Sequence, residues 1–169
     1  MNTIEAIMTR RSIRKYTAQP VSSETIRKLL EAAMSAPSAA NEQPWQFIVI
    51  NERHLLDQIP GFHLYAAMVK DVSAAVLVCG DATLDKHQGF WVQDCSAATQ
   101  NLLLAAHDLG LGAVWLGIYP REERIHGMRK LLELPDHVIP LALIPIGYPA
   151  QKPPREDRFR EERVHYNRW

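Results

Sequence analysis

Ser35-Ala36-Pro37-Ser38-Ala39-Ala40-Asn41-Glu42-Gln43-Pro44-Trp45-Gln46-Phe47 ends a helix, makes a polar loop of small residues and runs into a strand. A proline ring clashes with the preceding turn of a helix, so Pro37 closes the helix upstream of it. That helix opens at Val21-Ser22-Ser23-Glu24-Thr25-Ile26, where a serine cap stands between apolar residues at staple spacing. Ile26, Leu29, Leu30 and Ala33 then mark one helical face. Downstream, Phe47 to Ile50 is an unbroken apolar run of strand length, which implies cover on both faces of a sheet. Helix, loop and buried strand in succession predict helices layered against a sheet.

The alternation continues outward. Ile4, Ile7 and Met8 share one face of a short N-terminal helix, with Asn2 and Glu5 at capping-box spacing. Asn51 to Ile59 reads as a short helix and Ala74 to Cys79 as a second buried strand. Trp91 to Leu109 is a long helix carrying Cys95, Ala98, Leu102, Ala105 and Leu109 on one stripe. Its many further apolar neighbours suit a central helix or a dimer helix. Gly110-Leu111-Gly112 stops it, Val114-Trp115-Leu116 makes a short strand, and Pro120 can begin a helix from Arg121 to Leu132. Val138 to Ile146 is the last strand, and Pro140 and Pro145 within it suggest an edge position or irregular ends. The tail from Pro149 to Trp169 is rich in proline and charge, with a linker-like stretch from Gln151 to Glu156. Its terminal Val164-His165-Tyr166-Asn167-Arg168-Trp169 needs a partner surface if its rings are to be buried.

Composition narrows the function. The chain has 169 residues, 47% of them hydrophobic, which is one domain's worth with a sizeable core. Nineteen basic residues balance 19 acidic ones, so no general field attracts nucleic acid or an anionic membrane, and any anion site must be local. Cys79 and Cys95 form no CxxC pair and sit in apolar surroundings, as buried reduced thiols do. The seven histidines are scattered, with no His-Glu-x-x-His, so no metal is expected. Gly110-x-Gly112 lacks a third glycine and joins helix to strand, the reverse of the dinucleotide-binding order. No phosphate loop and no nucleophile elbow is present. Arg10-Arg11 has no apolar export region behind it, and the longest apolar runs are of strand length, so a soluble cytoplasmic protein is expected.

One cluster stands out against this background. Arg10-Arg11-Ser12-Ile13-Arg14-Lys15-Tyr16 places four cations and a hydroxyl just past the first helix. Such cations complement a helix C-terminus, and they also make a seat for a phosphate. Taken with Ala36-Pro37-Ser38-x-x-Asn41-x-Gln43-Pro44-Trp45-x-Phe47, Gly110 to Gly117, Ile146-Gly147-Tyr148-Pro149 and the arginines of the tail, this cluster resembles the nitroreductase family of FMN-dependent oxidoreductases over nearly the whole chain.

The resemblance implies an α+β, three-layer α/β/α fold with a mixed, mainly antiparallel central sheet. Residues 1–169 would form a single FMN-binding domain with 149–169 as an extended tail, and the long helix would lie at a homodimer interface. It implies that Arg10, Ser12 and Arg14 of one subunit hold the phosphate, ribityl and pyrimidine side, with Arg11 adding charge or a backbone contact. Pro37, Ser38, Ala39 and Asn41 would come from the second subunit to wall the ring. Trp115, Leu116 and Gly117 would lie by the N5 and O4 edge, and Arg155 and Arg158 would return to the phosphate. No side chain is expected to be catalytic, because the flavin carries the chemistry. NADH or NADPH would deliver hydride, and a small-molecule acceptor such as a nitroaromatic or a quinone would take it in ping-pong order. A flavin-storing or sensing protein, or a flavin-cleaving or dehalogenating relative, is the alternative. His107 and Asp94 receive no role. One departure from the family pattern is the lysine of an Asn-x-x-Lys pair before the second strand, where this chain has Tyr65 and Met68.

Overall fold

The computed structural model describes residues 1–169. Its elements are α1 (Thr3–Thr9), α2 (Ser23–Met34), β1 (Trp45–Ile50), α3 (Arg53–Leu56), β2 (Ala74–Asp81), α4 (Trp91–Asp108), β3 (Gly112–Ala113), β4 (Leu116–Gly117), α5 (Glu122–Leu132) and β5 (Val138–Gly147). Both predicted caps form: Asn2 Oδ1 accepts from the Glu5 N–H at 2.8 Å, and Ser22 Oγ from the Thr25 N–H at 3.1 Å. On α2, Ile26, Leu29 and Ala33 are buried while Arg27 and Lys28 pair with Glu31 and Glu24 on the outer side. At the end of α4, Gly110 takes φ +75°, and the Leu111 N–H bonds back to the Ala106 carbonyl at 2.8 Å, a left-handed stop that favours glycine.

The strands run in the order β1-β2-β5-β3, with β4 also paired to β5, and every pairing within the chain is antiparallel. All eight residues of β2 are buried, as a strand covered on both faces requires, whereas β1, expected to be covered likewise, is an edge strand with Phe47 and Ile48 half-buried and Val49 exposed. One face packs on α2 and α4 through Leu29, Trp45, Val76, Cys95, Leu102 and Ile144. The other packs on α5 and the segment between β1 and β2 through Ile59, Val69, Leu77, Met128 and Leu143. Helices above and below one sheet give the expected three layers.

Several local expectations are corrected. β5 is a central strand rather than an edge. Pro140 sits where the β2 register shifts between Val78 and Cys79, and Pro145 faces the interval between β3 and β4, which cover only residues 146–147 and 142–143. Each proline therefore lies where the ladder is interrupted. Val114-Trp115-Leu116 is not one strand, because Val114 and Trp115 are the break between β3 and β4. The Asn51 to Ile59 helix is only Arg53–Leu56 followed by a 3-10 turn at Ile59–Gly61, and the helix expected from Arg121 begins at Glu122. Leu109, assigned to the buried stripe of α4, is exposed. The apolar residues Ile4, Ile7 and Met8 of α1 are likewise exposed within the chain.

After α1 the chain runs beside β3 and the end of β5. The Ile13 N–H donates to the Ala113 carbonyl at 3.0 Å, Thr17 N–H to Tyr148 and Ala150 N–H to Lys15, both at 2.9 Å. Ile13 is buried against Gly112, where an added Cβ would stand 2.6 Å from Ile13 Cγ2. Gly112→Ala should therefore cost about 1–3 kcal/mol in denaturant unfolding through overpacking. Gly117→Ala, whose Cβ would meet nothing within 4 Å, should stay within about 0.5 kcal/mol of the parent. Equal unfolding midpoints for the two variants would contradict this account of Ile13.

Candidate cofactor site

The seated Ile13 orients its neighbours. Side chains alternate along an extended segment, so Ser12 and Arg14 face away from the Gly112 contact. Arg14 is exposed and Ser12 half-buried. Arg10 is half-buried, and its guanidinium has no hydrogen-bond partner and no carboxylate. Burial and then the charges of Arg158 and Arg11 push its pKa down, since like charges crowd a desolvated cation. Arg158 has thus come back from the tail to the cation segment, although it also pairs with Glu156 at 2.8 Å. An orphaned guanidinium facing further guanidinium groups fits a ligand with a compact anionic group such as a phosphate.

Arg11 is used differently. Its Nε donates to the Pro154 carbonyl at 3.0 Å, Nη2 to Glu156 at 3.4 Å and Nη1 to Arg10 at 2.7 Å, so it fastens the tail across the segment. Arg155 lines an open groove along α1 with Asn2, Ile4, Glu5 and Met8. His107 and Thr9 join the cluster unannounced by the sequence. The Thr9 hydroxyl donates to the Glu5 carbonyl at 2.6 Å, so His107 Nε2 carries a proton and donates to Thr9 Oγ1 at 2.8 Å. Burial and the charge of Arg10 hold the His107 pKa below its ordinary value.

The Pro37 to Gln43 loop is built by its own polar groups. Ser38 Oγ accepts from the Gln43 N–H at 3.0 Å, and Asn41 Oδ1 from Gln43 Nε2 at 2.8 Å. Ala40, Asn41 and Gln43 hold φ of 47°, 57° and 50°, a left-handed run that non-glycine residues rarely adopt and that is found at functional loops. Asp94, in the first turn of α4, holds the loop by accepting from the Ala39 N–H at 3.0 Å. His107, beside Arg10, stands on the last turn of the same helix. At 1.5 Å rise per residue the two anchors are about 20 Å apart along the axis. Within one chain the loop and the cations therefore lie at opposite ends of α4.

Trp115, Leu116 and Gly117 follow β3 along β5, where Gly117 faces Ala142 while Gly112, beside Ile13, faces Gly147. Gly117 is half-buried, needs no left-handed backbone, and would present an added Cβ to open space. Its lack of a side chain leaves the backbone approachable, as a flat ring at that edge would require. Behind it, Arg124 Nη1 donates to the Gly117 carbonyl at 2.6 Å. The His63 ring lies by the same pair, 1% exposed, with both nitrogens unpartnered. Burial and then the charge of Arg124 lower its pKa.

His63 and His107 give the fold a pH dependence. Both are held below 6.5, so the unfolded chain binds protons that the folded chain does not. Their contribution is complete above 6.5 and is lost as pH falls through the lowered folded values. The thermal midpoint should drop between about pH 7 and pH 5, and His63→Gln should flatten that drop, leaving the His107 part. A drop of unchanged size in His63→Gln would rule out the role given to His63.

The nitroreductase family pattern matches this chain over residues 7–86 and 73–148. A provisionally named NADH dehydrogenase/NAD(P)H nitroreductase of Methanothermobacter thermautotrophicus is 56% identical over 169 residues, covering 100% of this chain and 88% of its own length. A crystal structure of the same provisional name from Parabacteroides distasonis superposes with a TM-score of 0.96 at 45% identity, with 100% of both chains covered. A provisionally named nitroreductase from Desulfovibrio desulfuricans, solved in complex with FMN, gives 0.85 at 36% identity over 100% of this chain and 99% of its own. The sequence motifs, the three-layer fold and these likenesses agree, and the chain belongs to the nitroreductase family.

Proposed function

We propose that this chain is an FMN-dependent oxidoreductase that takes hydride from NADH or NADPH and reduces small acceptors, nitroaromatics and quinones among them. The observation that carries this reading is the half-buried Arg10 guanidinium, without a partner and crowded by Arg11 and Arg158. A phosphate monoester supplies the missing anion, with the Ser12 hydroxyl beside it and Arg14 toward the pyrimidine edge. Bound FMN supplies a hydride-accepting and hydride-donating N5. The residues of this chain bind and orient. Arg10, Ser12, Arg14 and Arg158 fix the phosphate end, Arg11 ties the tail over it, and Trp115, Leu116 and Gly117 offer backbone to the ring. Donor and acceptor would bind in turn beside the same ring, the ping-pong order. The relatives' names, which couple NAD(P)H, nitroreductase and FMN, support the same assignment.

The site is completed by a second copy. Pro37, Ser38, Ala39 and Asn41 lie about 20 Å along α4 from the cations of their own chain, so they wall the ring of the partner. Exposed Ile4, Ile7 and Met8 on α1 and exposed Phe159, Tyr166 and Trp169 on the tail are apolar surface that a homodimer would cover. On this reading residues 1–169 are one FMN-binding domain, with 149–169 reaching the second subunit. No helix is long and apolar enough to cross a membrane.

The purified protein should show visible flavin bands that bleach on anaerobic addition of NADH or NADPH. Bands that persist would favour storage or sensing of FMN, and no bands after FMN addition would overturn the assignment. Arg14→Ala should weaken FMN binding by about tenfold, whereas Arg121→Ala, on the solvated start of α5, should leave it near the parent value. Light scattering at micromolar concentration should give twice the chain mass, and a monomeric mass would refute the shared site.

A further inference from the structure

Arg124 stands where the chemistry of the proposed site and the departure of this chain from its family meet. The Ile118 N–H donates to the Leu141 carbonyl on β5 at 3.0 Å, so the trans peptide aims the Gly117 carbonyl the opposite way, off the free edge of β4. In a strand a residue's N–H and C=O share an edge, so the Gly117 N–H also points outward. Arg124, from the first turn of α5, takes the carbonyl at 2.6 Å. The edge left to a ligand is then a free N–H donor, open space in place of a Cβ and a nearby cation, with no competing acceptor.

The guanidinium is itself uncompensated. Arg124 is half-buried and in no ion pair, and Glu122 of α5 turns toward His126. The Tyr65 ring covers it, with the guanidinium carbon 5.7 Å from the ring centroid. Tyr65 belongs to the segment in which the sequence lacks the lysine of related chains. Tyr65 is a lid over a charge that comes from α5.

We propose that Arg124 is a positioning residue for the ring end of the flavin. It takes up the outward Gly117 carbonyl, so that the Gly117 N–H is the group left to a ligand, and it brings positive charge to that edge. Such an arrangement favours a ligand atom that accepts a hydrogen bond and gains negative charge as the ring is reduced. The inference rests on the FMN reading above.

Its test uses the full-length flavin-loaded protein and the variants Arg124→Gln and Arg124→Lys. Arg124→Gln should keep FMN bound but weaken the reduced form about tenfold relative to the oxidised form, a fall of about 30 mV in two-electron midpoint potential. The kcat should fall with little change in the KM for NAD(P)H, and Arg124→Lys should recover most of the potential. In the wild-type protein, stripped of FMN and titrated with it, the Gly117 amide resonance should move downfield. An Arg124→Gln potential equal to the parent's, or a Gly117 amide that does not respond to FMN, overturns the proposal while leaving the FMN reading intact. A wild-type protein that binds no FMN overturns that reading instead, before any variant is compared.

Discussion

The binding end of this protein depends on the seating of Ile13 between the cations. Its N–H joins β3, its side chain fills the space that Gly112 leaves, and the flanking Ser12 and Arg14 are thereby turned away from the core. A cation segment tethered only at α1 would let its arginines spread into water, where a salt-screened pair is worth little. Held against the sheet, Arg10 is partly desolvated beside Arg11 and Arg158, and the resulting repulsion is stored as affinity for an anion. Burial of one isoleucine thus prepares an electrostatic site.

The second constraint is the length of α4. One end carries Asp94 and holds the Ala39 loop, and the other carries His107 and holds Thr9 beside Arg10. A straight helix of this length keeps the two parts of the site too far apart for one chain to close it. On the proposed reading of a site shared by two copies, the exposed apolar residues of α1 and the tail are the surface that would be covered.

The split between β3 and β4 shapes the edge at Gly117. Pro145 cannot donate to a continuous third strand, so β3 and β4 are two short pieces with Trp115 between them. The break frees the outer edge of β4 from pairing. Arg124, which takes the outward Gly117 carbonyl, and the buried His63 ring flank that edge.

Much of this was legible in the chain itself, where periodicity is local. The caps of α1 and α2, the buried run of β2, the α4 stripe and the glycine stop at Gly110 follow from spacing and backbone sterics, whereas the equally apolar run of β1 gave no sign that it is an edge strand. The cations of Arg10 to Arg14 stand out in the sequence, and the likeness to a known family points to FMN as the ligand. The central position of β5 was hidden, because prolines read as edge signals until the register shows that the ladder is already interrupted beside them. Arg11 looked the same as Arg10 in the sequence, and only the path of the tail made one a clasp and the other a free cation. His107, Thr9, His63 and Arg124 carried no signal, since their meaning lies in contacts between residues distant in sequence or across a turn. Local sterics and hydrophobic period are written along the chain, whereas the pairing of charges and carbonyls is decided only when folding sets which surfaces meet.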